Sequence, residues 1–204
     1  AGFAGLRSRR RRTGTSTRAG HRFSTARRWP APVAALSTAD IKALSTASIS
    51  VLNTDQFSTL TSAQVASLTT SQIATLSTEQ ITVITTSSIA ALTSSQIGAL
   101  NSTHITALGT AQIMALNTAD IRALSTFDIR VLSTEQISAL TTTQFLALTT
   151  AQVATLNTAD ISVLSTADIA VLTSTQVGSL SSQQVAALTT EQIQVLSTAD
   201  IKAL

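Results

Sequence analysis

The chain has no cysteine and no tyrosine, and its 204 residues include one methionine, one tryptophan, two prolines and seven glycines; only 11% of it is charged. Without cysteine there are no disulfides and no thiolate chemistry. Apolar runs are short, and Ser, Thr and other polar residues interrupt each one well before the roughly 18 residues that a membrane-spanning helix needs. The two histidines, His21 and His104, have no second ligand at metal spacing. Hydroxyls abound, but a nucleophilic serine needs a base and a group to orient it, and beyond the first 36 residues His104 is the sole histidine available. No catalytic, metal-binding or cofactor-binding residue is assigned, no cofactor is expected, and the composition points away from an enzyme.

What is present is one phrase of eight residues, repeated 21 times from Ser37 to Leu204 without insertion or deletion, from STADIKAL to a final STADIKAL. A short fixed period marks an array whose units cannot bury their apolar side chains alone and must stack on their neighbours. We number the units 1 to 21 and the positions one to eight. Position eight is Leu in every unit but one, which has Ile84, and position five is always Ile, Val or Phe. Position one is Ser, Thr or Asn, with Gly109 the exception, and these are helix N-cap residues. Position four is Gln in twelve units, Asp in six, Ser in two and His104 in one. That spacing is a capping box, and Leu36 with Ile41 has the spacing of a hydrophobic staple around it.

Two rivals fail on geometry. In one continuous helix an eight-residue period advances roughly 800°, so the Leu column would drift about 80° per unit and leave no continuous buried face. In a strand, residues five and three apart point to opposite faces, and the Gly or Pro corners of a β-solenoid are absent. The expected fold is therefore all-α: a solenoid of 21 short capped helices (residues 37–204), each of five to six residues and closed by a bend at the next cap. Helices this short are marginal alone, so stability is expected to be collective.

Residues 1–36 differ in kind. They carry nine Arg (Arg7, Arg9, Arg10, Arg11, Arg12, Arg18, Arg22, Arg27 and Arg28) and no acid, for +9, whereas the array has four Lys or Arg against ten acids, for −6; together these make the chain's +3. Such a composition, with few apolar residues, is that of a disordered basic leader. Three readings stay open for it: a targeting segment, an arm touching nucleic acid or anionic lipid, or a solvated tail without function. Arg9 to Arg12 lack the apolar stretch that a twin-arginine export signal requires. No export signal is recognised, which leaves the compartment open.

Within the array, position six varies most and is expected to face solvent. Met114, Phe127 and Leu146 are apolar exceptions on variable columns and are candidates for a protein contact. The aspartates at position four (Asp40, Asp120, Asp128, Asp160, Asp168 and Asp200) resemble an acidic ladder, but Gln fills most equivalent places and no Gly-rich aspartate loop accompanies them, so capping explains them better than calcium does.

The phrases LTTEQIQVL (Leu188 to Leu196) and LSTEQISAL (Leu132 to Leu140) resemble octapeptide arrays of large bacterial proteins of the secreted, haemagglutinin-like or repeat-in-toxin-like kind. The resemblance covers the whole array and implies a secreted or surface spacer, adhesive or protein-interaction segment with a protein or cell-surface partner. LTSAQV (Leu60 to Val65) and LTSTQV (Leu172 to Val177) are similar to the opening of transcription-activator-like effector repeats. An octad has no room for their base-reading loop, and an acidic array lacks the positive stripe that phosphate binding requires. A structural scaffold is thus the leading expectation. A nucleic-acid-associated protein acting through the Arg arm comes second, and a surface- or ice-binding array of position-two Thr third.

Overall fold

A computed structural model describes residues 33–204. These residues form 21 α-helices, one in each unit, from α1 (Thr38–Ala43) to α21 (Thr198–Ala203), preceded by a 3-10 turn, Val33–Ala35, and none of them is in a strand. The fold is the all-α solenoid that the octad implies. The expected disordered leader lies outside the described residues, apart from its last four.

Each helix starts where its cap residue stops the chain from coiling. In unit 1 the Ser37 hydroxyl accepts from the Asp40 N–H at 3.2 Å, and the Asp40 carboxylate accepts from the Ser37 N–H at 3.0 Å. The cap residue itself is extended, with φ −71° and ψ 162°. The reciprocal pair is incomplete in three units. Ser48 and Ser88 do not bond back to the cap N–H, and Gly109, which has no side chain, only donates its N–H to Gln112 Oε1. No residue of the described chain has positive φ. Every bend is made from right-handed and extended backbone, so the sharp corners need no glycine, in keeping with how little the sequence has.

The helices wind into a superhelix. Each packs against the helix three units later, while position-four amides reach back four units, so one superhelical turn takes between three and four units. Position five fills the interior: from Ile41 to Val177 none of these side chains is more than 2% exposed, and the position-eight leucines line the same core. Ile193 and Ile201 are about half exposed because no later turn covers them.

Val33 and Leu36, which composition places with the leader, already belong to the packed array. Val33 and Leu36 occupy positions five and eight of a half-unit. Val33 is buried in the core, and the Leu36 carbonyl accepts from Gln64 Nε2 at 2.7 Å. Residues 33–36, placed with the leader by their sequence neighbourhood, are structurally the second half of an octad.

Eleven glutamines, from Gln64 to Gln192, do more than cap. Their Oε1 accepts the N–H of their own cap residue, while Nε2 donates to the position-eight carbonyl 28 residues earlier at 2.6–2.8 Å. In most units it also reaches the position-five carbonyl 31 residues earlier, as Gln80 does to Ile49 at 2.9 Å. A buried carbonyl at a helix end requires a donor, and here the next turn supplies it. Gln144→Glu keeps the shape but sets a carboxylate oxygen against the carbonyls of Ile113, Met114 and Leu116. It should destabilise the array by about 2–4 kcal/mol, read as a lower urea midpoint with faster amide exchange in units 10 and 14.

Candidate functional site

The nine arginines proposed to contact nucleic acid or an anionic surface lie outside the described residues. The three apolar candidates do not form one patch. Met114, Phe127 and Leu146 are all exposed. Met114 and Leu146 fall on successive turns, since Gln144, two residues before Leu146, donates to the Met114 carbonyl at 3.4 Å, and Arg122 Nε donates to the carbonyl of Ala147, beside Leu146, at 3.1 Å. Phe127 belongs to α12 (Thr126–Val131), which packs on α9 (Ser102–Ala107) and α15 (Thr150–Val153), not on the helices that carry the other two.

His104 is buried and takes over both tasks of a glutamine. Its Nδ1 accepts from the Asn101 N–H at 3.3 Å and its Nε2 lies 2.7 Å from the Leu76 carbonyl, 28 residues earlier. The carbonyl can only accept and the amide only donate, so these partners require the neutral tautomer with the proton on Nε2. Among the described residues no group of three or more His, Cys, Asp or Glu could hold a metal ion. A wide cleft of about 490 Å³ is lined by Lys42, Leu68, Gln96 and small residues such as Thr38 and Thr70, but it brings no second titratable group to that lysine. His104→Gln should leave stability within about 0.5 kcal/mol of the parent, whereas His104→Leu, which strands the Asn101 N–H and the Leu76 carbonyl, should cost about 1–3 kcal/mol in chemical denaturation.

Position-four aspartates are too short, and lack the donor, to reach back four units. Asp120 and Asp200 instead accept on Oδ1 from a position-two serine three units earlier: Ser94 Oγ at 2.9 Å and Ser174 Oγ at 2.8 Å. At these two joints the backbones come close. A Cβ on Gly98 would lie 3.3 Å from the Ala123 carbonyl, and one on Gly178 would lie 3.0 Å from the Ala203 carbonyl. These glycines sit in the column read from sequence as free to vary, yet close approach accounts for them. The units with Asp or Ser at position four occupy the first two places of successive blocks of five units, with Gln80 the exception.

Hydrogen bonds hold several carboxyls below their ordinary range: the Ser37 hydroxyl and N–H for Asp40, the Glu79 and Ser77 groups for Glu79, and chiefly the Ser197 hydroxyl for Asp200. Asp160 is the opposite case. Burial raises its pKa against the bonds from Asn157, and its Oδ1 is buried with no partner.

The sequence carries a signal for the second bond of the glutamines. A capping box accepts Glu as readily as Gln, yet position four never carries Glu, while Glu79, Glu135 and Glu191 all stand at position three. A Glu there has the reach of Gln but no donor, and would set a carboxylate oxygen against the carbonyls four units back, which the shorter Asp does not reach.

A family model described as an ALTTAQ repeat matches residues 33–70, 89–126, 113–150 and 145–182, well over half of the chain. No curated protein and no solved structure matches.

Proposed function

The chain belongs to the ALTTAQ repeat family, and from that premise we propose that it is a non-enzymatic scaffold: a stiff spacer that sets a distance and presents a long polar surface, as an adhesive or protein-interaction segment of a secreted or surface bacterial protein. The observation that carries this reading is the glutamine ladder. Eleven glutamines each close the open carbonyl of an earlier turn, so the array extends by adding units that repeat the same bond. Its interior is filled by position five and position eight, which leaves chemistry to the outer columns, and these are mostly small hydroxyl or aliphatic residues. Adding or deleting one block of five units tests the spacer directly. The maximum dimension in small-angle scattering should rise and fall in proportion to unit number, with cooperative unfolding retained; a dimension that does not follow unit number would end the reading.

A second reading has its own support in the nine arginines and absent acids of residues 1–36. In it the leader binds nucleic acid and the array holds it in place. Affinity for duplex DNA should then fall linearly with salt on logarithmic axes, with a slope near −0.9 for each phosphate neutralised, and deletion of residues 1–32 should abolish that binding. Salt-independent or deletion-resistant binding would rule the arm out.

A further inference from the structure

Three joints of the superhelix have the same plan and differ in three residues. In the first, α8 (Ser94–Ile97) meets α11 (Thr118–Ala123), with Ser94, Gly98 and Ala123 at the contact and the Ser94 hydroxyl on Asp120. The third, α18 (Ser174–Val177) with α21, repeats it through Ser174, Gly178 and Ala203, the Ser174 hydroxyl on Asp200. Between them lies the joint of α13 (Thr134–Ser138) with α16 (Thr158–Val163), where the octad register puts Thr134, Ser138 and Val163 in the equivalent places. All three are larger. Here the hydroxyl bond is absent, and Asp160, fully buried, keeps Oδ1 without a partner.

We infer that the α13–α16 joint is a proton-sensitive seam, in which ionised Asp160 loosens the contact between two turns and proton uptake by its carboxylate tightens it. A desolvated charge lacking one of its hydrogen bonds is costly, and neutralisation removes most of that cost. Beyond the Asn157 bonds, no basic group on the packed helices offsets the charge. Of the helices packed on α16, α13 brings only exposed Glu135 and α19 (Ser182–Ala186) brings no charged residue. Along the chain, α15 has none, and Asp168 of α17 (Thr166–Ala170) is bonded to Ser165. Arg130, four units back, is exposed.

The sign follows from the direction of the shift. Burial raises the Asp160 pKa, so the folded array holds this proton more tightly than the unfolded chain does. The stabilisation tied to it is complete below the ordinary carboxylate pKa of about 3.9 and is lost as pH rises through the folded value. Asp40, Glu79 and Asp200 act in the reverse sense, with stability present above the ordinary range and lost as pH falls. A global melt therefore mixes both, and a local readout separates them.

Amide exchange of the full chain at pH 4.5 and pH 7.5, corrected for intrinsic rates, is the test. Protection in α13 and α16, relative to the α8–α11 joint of the same molecule, should be several-fold higher at the lower pH. Asp160→Asn should abolish that difference. The triple variant Thr134→Ser, Ser138→Gly, Val163→Ala, which rebuilds the α8–α11 contact around Asp160, should reduce it to the level of its neighbours. An equal pH response in the two joints, or one that survives Asp160→Asn, would overturn the inference.

Discussion

The structure depends on how the carbonyls at the end of each short helix find donors. A helix of four to six residues leaves most of its C-terminal carbonyls without an intrahelical partner, and in a solenoid this end faces the next turn rather than water. The glutamine amide resolves the conflict because it has both polarities on one planar group. The oxygen closes the N-terminus of its own helix and the nitrogen closes the C-terminus of a helix four units earlier. Capping and stacking are thus one interaction, which is why a unit with so little apolar surface can still be ordered by its neighbours.

Other features follow from that link. Position five must be large and apolar because the reach of the amide brings the turns close enough to seal it, and Phe57 and Phe145 show that the space also takes an aromatic ring. Position seven stays mostly small because helices three units apart approach there, most closely where Gly98 and Gly178 face Ala123 and Ala203. Aspartate at position four keeps the cap but gives up the reach, and at Asp120 and Asp200 the contact passes to a serine hydroxyl three units away. The array therefore has two kinds of joint, and the five-unit recurrence of the short residues spaces them regularly.

The octad made the helices, their caps and their apolar columns legible from sequence, because those are local relations within eight residues. Relations between turns were hidden. The bond from Gln72 to Leu44 spans 28 residues, and an exact repeat places identical partners at every multiple of eight, so periodicity alone cannot say which multiple is in contact. Residues 33–36 are hard to read for a related reason: a half-unit offers only two large apolar positions, and its neighbours Pro30 and Pro32 belong to the leader's composition. His104 read as a cap variant, which it is; its second bond, like those of the glutamines, depends on a turn that the sequence does not locate.

Regularity also makes the exceptions informative. In a chain of near-identical units, a residue that departs from its column is surrounded by controls, and its physical consequence can be read by subtraction. Asp120 and Asp200 show what a buried position-four carboxylate looks like when satisfied; Asp160 has the Asn cap of Asp120, but no hydroxyl donates to its Oδ1. The difference traces to three side chains at the joint, Thr134 and Ser138 on the facing turn and Val163 on the same helix, each larger by one or two heavy atoms. Close packing turns such small increments of volume into a missing hydrogen bond, and the missing bond makes one joint in the rod respond to a proton where its neighbours do not.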